Sequence, residues 1–207
     1  MKIFVVHNNF TPLEGNKSMS STLLSNTPAV YELPDTALLL NHRPFFIPDF
    51  ASPCSLQGSI VVRINRLGRY IAPQFAQRYF DSITIGVAFT ADNLFKQCQT
   101  LGLPWDVSKG FDGAAAIGQF LKISDFNGPL KDFKITLKDN GAIIQEANYQ
   151  KANFSIDEIV SYISKFYMLR QGDLIYYGFP CSPSQATIDH KIEAFLNEKS
   201  LLHFNIK

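Results

Sequence analysis

LQGSIVVRINRLGR (56–69), SITIGVAFTADNLF (82–95) and WDVSKGFDG (105–113) are the three runs whose reading decides the fold, and they cover the stretch Leu56–Asp112 and the glycine that follows it. Ile60–Asn65 is short, β-branched and flanked by Gly58 and by Leu67-Gly68, which predicts a strand. Ile83–Phe89 is a nearly continuous apolar run and predicts a strand buried on both faces. Thr90 is a candidate helix cap. Leu94, Phe95, Cys98 and Leu101 then recur at helical spacing, and Gly102 suits the position just past a helix end. Lys109 and Asp112 lie three apart beside Gly110. By sequence physics this is an exposed turn before it is a pocket loop.

Working outward, Lys2–Val6 predicts a short strand. Thr11–Asn26, rich in serine and asparagine, reads as a loop. Ala29–Leu33 and Ala37–Leu40 predict strands around a Pro34-Asp35 turn. His42–Asp49, with two prolines, reads as an edge segment or connector. Arg69–Phe80 predicts a helical or turn segment, and Gly113–Ile117 is small and apolar, suited to close packing. Lys134–Leu137 and Ala142–Ile144 flank Asn140-Gly141, a hairpin signal. Ser155 and Glu158 have capping-box spacing. Ile156, Ile159, Val160, Ile163, Phe166 and Tyr167 form one helix face, read as core. Leu174–Tyr177 predicts a strand, and Lys191–Asn205 a final hairpin about Asn197-Glu198-Lys199. There is no internal repeat.

The chain has 207 residues, a net charge of +1 and 46% hydrophobic residues. That length and composition fit one folded domain with a substantial core, and argue against disorder. The near-neutral charge gives no electrostatic footprint for nucleic acid or for an acidic membrane. No apolar run approaches the roughly 20 residues that span a bilayer. Met1–Val6 is too short an apolar core for a signal peptide. Cys54, Cys98 and Cys181 are few, odd in number and widely spaced. They predict reduced thiols in a cytoplasmic protein. No CxxC or HExxH pattern supports a zinc site.

TPAVYELPDTALL (27–39), IVVRINRLGR (60–69), ITIGVAFTADNLF (83–95), VSKGFDGAAAIG (107–118) and GDLIYYGFP (172–180) follow one another in an order and spacing that resembles the fumarylacetoacetate hydrolase family. The resemblance covers Thr27–Lys207. It implies an α+β, β-rich fold of mixed sheets and a rolled barrel with a few flanking helices. It also implies a single domain over 1–207, with 1–26 a short strand plus a lid-like loop. Family enzymes act on small keto acids and β-dicarbonyl compounds. They hold magnesium or manganese with two glutamates two apart on one strand and an aspartate on the next. Such a cation takes oxygen ligands and polarises a substrate carbonyl.

The resemblance places the two glutamates at Gln57 and Ser59 and the aspartate at Ala88. None of the three is a carboxylate. The lid histidine falls at Leu13 and the lid glutamate near Asn16, with Glu14 out of register. His7 reads as a surface histidine, with a replacement lid histidine as the alternative. The family's lysine falls at Lys109, with Asp112 in the same loop. The small-residue turn that holds substrate carboxylate becomes Tyr177-Gly178-Phe179-Pro180. Two acids could rebuild a site: Asp92, placed in the first turn of the helix, and Asp173, which more simply caps a turn.

The expectation is therefore a degenerate family member without bound metal or metal-dependent catalysis. It would be a pseudoenzyme binding a small carboxylate at Lys109, Gly178 and Phe179, or serving as a subunit partner; the resemblance implies a homodimer, with a heterodimer with an active relative as the alternative. The alternative is an active hydrolase, isomerase or decarboxylase on keto acids. That reading requires a rebuilt magnesium or manganese site, or metal-free chemistry at Lys109.

Overall fold

The computed structural model describes residues 1–7, 9–10, 26–40 and 42–207. Leu13, Glu14, Asn16 and nearly all of the expected lid-like loop lie outside the described residues.

Thirteen described strands run in chain order as β1 (Ile3–Val6), β2 (Val30–Leu33), β3 (Leu38–Leu39), β4 (Cys54–Ile64), β5 (Phe80–Ala91), β6 (Ala115–Ile117), β7 (Leu121–Lys122), β8 (Lys134–Asp139), β9 (Ala142–Asn148), β10 (Leu174–Tyr176), β11 (Ser184–Gln185), β12 (Lys191–Leu196) and β13 (Lys199–Asn205). The helices are α1 (Asp92–Leu101) and α2 (Ile156–Phe166). The expected β-rich α+β architecture is what the chain adopts.

The larger sheet runs β2-β1-β10-β4-β5-β6-β3, with β11 beside β4 and β7 beside β5. Its two edge strands, β2 and β3, are consecutive in sequence and joined only through Pro34–Ala37. So short a link cannot cross a flat sheet of seven strands at nearly 5 Å each. The sheet must roll until its edges meet. Ile3, Val5, Leu33, Val61, Ala115, Ile117, Leu174 and Tyr176 form the buried cluster inside this roll. The opposite faces of β4 and β5 carry Leu56, Ile60, Val62, Ile83, Ile85 and Val87, which pack with Ile135, Leu137, Ala194 and Leu202 of the smaller sheet. That sheet runs β13-β12-β8-β9.

Local chemistry sets the element ends. Ser155 and Glu158 close a reciprocal capping box on α2, as their spacing predicts. Asn140 and Gly141 take φ of 46° and 85°, the paired left-handed turn that Asn-Gly favours between β8 and β9. Gly102 ends α1 in the left-handed region, φ 65°. Three expectations need correction. The first strand of 56–69 begins at Cys54, so Gly58 lies inside it, and Asn65 lies beyond its end. Thr90 remains in β5 and does not cap α1, whose cap is Ala91. Phe166 and Tyr167 do not join the core stripe of α2: they are 61% and 40% exposed because the helix ends there and leaves the core.

Between its pairings with β10 and β11, one edge of β4 has no strand beside it. Side chains of the smaller sheet substitute. Gln145 Oε1 accepts from Gly58 N (2.9 Å), and Gln145 Nε2 donates to Leu56 O (3.0 Å). The Tyr149 hydroxyl accepts from Ile60 N (2.7 Å) and donates to Gly178 O (3.3 Å). Both side chains are buried, so these polar groups have no water to fall back on. Tyr149→Phe should leave the Ile60 N–H unpaired and destabilise the fold by about 1–3 kcal/mol. The check is urea unfolding: the midpoint should fall at unchanged m-value, and an unchanged midpoint would show that the hydroxyl contributes nothing.

Candidate functional site

The site is built on the longest strand pair. β4 and β5 pair from Cys54↔Ala91 to Ile64↔Phe80, which sets Ser55 opposite Thr90, Gln57 opposite Ala88 and Ser59 opposite Gly86. Side chains alternate along a strand, so these six positions share the face turned into the roll. The three positions matched to the family's metal ligands thus come together in space, as the resemblance implies.

Their chemistry does not fit a hard divalent cation. Gln57 Nε2 donates to Cys181 O at 2.7 Å, leaving one neutral amide oxygen. Ser59 is fully buried and its hydroxyl donates to Ile60 O at 2.9 Å. Ala88 has no donor atom. Magnesium dehydrates reluctantly and is ordinarily held by carboxylates. Among the described residues there is no group of three or more histidines, cysteines or acids placed to hold a metal. Asp92 accepts from Ser55 Oγ at 2.7 Å in the first turn of α1. Asp173 accepts from Lys2 N, Lys2 Nζ and Arg170 N at 2.7–2.9 Å, tying the start of β1 to the turn that enters β10. It is a structural cap, as the simpler reading of the sequence has it.

Large side chains occupy the inner face. Tyr176 reaches across the roll to donate from its hydroxyl to Ala116 O (3.2 Å). A Cβ on Gly86 would stand 2.7 Å from both Tyr176 Cε1 and Val61 Cγ2, so only glycine admits that ring. Phe179, Phe111 and Ala88 pack against the same cluster. Gly178 has φ 114°, and a Cβ there would meet Asn9 Cβ at 2.8 Å. Its glycine is required by the turn that delivers Phe179 inward.

Lys109 is not in an exposed turn. Residues 106–108 form one 3₁₀ turn after α1, and Lys109 N donates to Asp106 O at its end. This drops the side chain back beside β5, where only 9% of the residue is exposed. Lys109 Nζ donates to Thr90 Oγ1 at 2.9 Å and lies 4.6 Å from the Phe95 ring centre. Burial lowers its pKa to about 8, partly opposed by the negative charge of Asp92. Asp112, in the same loop, is exposed and makes no ion pair among the described residues. Asp92 is the acid whose field Lys109 feels. His7 keeps an exposed edge, but partial burial, with the charge of Lys109, lowers its pKa. His7 also lines a cavity of about 390 Å³ walled by Tyr31, Trp105, Tyr162, Phe166 and Tyr167.

Sequence reasoning missed Asn9, Thr90, Gln145 and Tyr149. Asn9 is fully buried; its Nδ2 donates to Tyr177 O (2.6 Å) and its Oδ1 accepts from Phe154 N (2.8 Å). Nothing local marks one asparagine in HNNF as a clasp.

A profile of the family described as Fumarylacetoacetate (FAA) hydrolase C-terminal matches residues 2–207. The chain is 28% identical over 191 residues to a mitochondrial oxaloacetate tautomerase of Mus musculus, covering 92% of this chain and 86% of the relative. It is 30% identical over 169 residues to an uncharacterised protein of Pyrococcus abyssi, covering 82% and 75%. In fold it is similar to fumarylpyruvate hydrolase from Pseudomonas aeruginosa, solved with Mn2+ and pyruvate: TM-score 0.88, 21% identity, 100% of this chain and 89% of that one. It is likewise similar to 2-hydroxyhepta-2,4-diene-1,7-dioate isomerase from Mycobacterium marinum, with TM-score 0.82, 23% identity and coverage of 99% and 73%. With the five ordered landmarks, the rolled sheet and the profile match over nearly its whole length, this chain belongs to the fumarylacetoacetate hydrolase family.

Proposed function

We propose that this chain is a family member that works without the divalent-metal centre and binds a small carboxylate, such as a keto acid, beside Lys109. The carrying observation is the cross-strand set Gln57, Ser59 and Ala88, which offers no carboxylate where the resemblance implies three. A buried lysine with no carboxylate within ion-pair distance, among the described residues, is a ready partner for a small anion. The second reading is an active keto-acid enzyme with a rebuilt site. It is favoured by the tautomerase and hydrolase names of the relatives and by the Mn2+ and pyruvate in one of the similar structures.

A homodimer is part of the proposal. The exposed run Phe166, Tyr167 and Met168 at the end of α2 supports it. So is a cytoplasmic, reducing location, supported by three free cysteines. No helix among the described residues is long and apolar enough to cross a membrane.

Calorimetric titration of metal-stripped protein separates the two readings. The expected result is no saturable Mn2+ binding up to millimolar concentration, with pyruvate binding that disappears in Lys109→Met. One-site Mn2+ binding at micromolar affinity would overturn the metal-free reading.

Lys109 also makes a stability signature. Its pKa falls from the ordinary 10.5 to about 8 on folding. Below pH 8 both states are protonated and the full cost of burying the charge is present. Between pH 8 and 10.5 the folded state loses its proton first, so stability rises with pH. A depression of that size corresponds to about 3 kcal/mol, as an order of magnitude. Lys109→Met should therefore raise Tm at pH 7 and flatten the rise between pH 8 and 10.5. A lower Tm at pH 7 would mean that the amine is a net structural tie. Light scattering at tens of micromolar protein should give twice the mass of the 23.3 kDa chain. A monomer mass would remove the dimer.

A further inference from the structure

We propose that Lys109 is a carbonyl-trapping amine: its Nζ forms an imine with the keto carbon of a 2-oxo acid, and the resulting iminium serves as the electron sink that the missing metal ligands cannot provide. The inference rests on the reading that a keto acid binds beside Lys109 and specifies what happens to it there.

Three features of the geometry point to this. Lys109 Nζ is buried and, among the described residues, has no carboxylate within ion-pair distance. A lysine whose role is to hold a loop would be expected to keep an acid partner, as Lys2 does with the fully buried Asp173 at 2.7 Å. Next, among the described residues the hydrogen bond of the amine goes to a hydroxyl, Thr90 Oγ1, which accepts one N–H and orients the nitrogen without fixing its charge. Last, the surroundings are apolar and aromatic. Phe95 lies beside the amine and Trp105 packs edge-on to Phe95 with ring centres 5.9 Å apart; Trp105 also lines the 390 Å³ cavity, and Lys109 itself is not among its described lining residues. A desolvated lysine in such a setting is the kind that becomes nucleophilic near neutral pH, because burial favours its neutral form. The lowered pKa agrees with the geometry. The same surroundings suit the product less badly than they suit the free ammonium. An iminium spreads its charge and can lie over the Phe95 ring, and the acid's own carboxylate travels with it as a counter-ion.

The step balances without any further reactant. The neutral amine adds to the keto carbon, giving a carbinolamine with one new C–N bond. The former carbonyl oxygen takes a proton and leaves as water, and the nitrogen lone pair closes the C=N bond. Protonated on nitrogen, the imine withdraws electrons from the adjacent carbon, as a metal-bound carbonyl would. Burial and the charge of Lys109 lower the pKa of His7, which favours its neutral form.

The test is reductive trapping. Full-length protein is incubated with pyruvate, treated with sodium borohydride and digested, and the peptides are weighed. Hydride addition to the imine carbon makes a permanent secondary amine. The expected result is a single pyruvate-derived adduct on the peptide carrying Lys109, absent without borohydride and lost to background in Lys109→Arg. Arginine has no amine that can form the imine, so loss of the adduct in that variant is expected whether or not it still binds pyruvate. Peptide mapping of the unaltered protein keeps the test decisive even if the variant folds poorly. Pyruvate binding with no trapped adduct would overturn the imine and leave the carboxylate-binding reading standing. Neither binding nor adduct would overturn both. Adducts scattered over surface lysines such as Lys96 and Lys131, undiminished in Lys109→Arg, would also overturn the proposal.

Discussion

The pairing of β4 with β5 is the constraint on which everything else hangs. Its register runs unbroken from Cys54↔Ala91 to Arg63↔Ser82 and shifts only at the last pair, Ile64↔Phe80. A slip of one residue would exchange the two faces of the sheet. Ile60, Val62, Ile83 and Ile85 would turn into the roll, and Gln57, Ser59 and Thr90 would enter the core against the smaller sheet. The apolar pattern therefore locks the register, and the register in turn places the site. Gln145 and Tyr149 complete the arrangement by satisfying the stretch of β4 that no neighbouring strand reaches.

The interior of the roll is occupied differently from that of a metal site. Carboxylates there would need a cation, and a cation there would need carboxylates, because either one alone in a low-dielectric space is costly. In this chain the acids at the ligand positions are replaced together. Gln57 is tied to a backbone carbonyl, Ser59 to another, and Ala88 packs against the same apolar cluster as Phe179 and Phe111. The positive charge that remains is Lys109, with Asp92 as its distant counterweight and Phe95 beneath it. That arrangement is the physical basis for reading the site as metal-independent and Lys109 as its centre.

Most of the frame was legible in the residues. β-branched runs at 60–64 and 83–89, Asn140-Gly141, the Ser155–Glu158 box and Gly102 each carry a local steric or hydrogen-bonding reason, and the structure follows them. The failures share a different cause. Thr90 has the chemistry of a helix cap, but continued pairing with Ser55 keeps it in the strand. Asp112 sits near Lys109 in sequence, but the loop turns it outward while Asp92, seventeen residues earlier, faces inward. Phe166 and Tyr167 continue the helical stripe after the core beneath it has ended.

By itself, then, the sequence determined the elements, the family and the chemical identity of the residues at each ligand position, since these depend on local pattern and on residue type. Only the tertiary structure decided that Gln57 and Ala88 stand opposite one another, that Lys109 is buried against Thr90 and Phe95, that Asn9 holds Tyr177 and Phe154, and that Tyr149 bridges Ile60 and Gly178. Those outcomes depend on strand register and on the rolling of a sheet whose edges must meet. They bring together residues far apart in the chain, and no local pattern encodes which of them will touch.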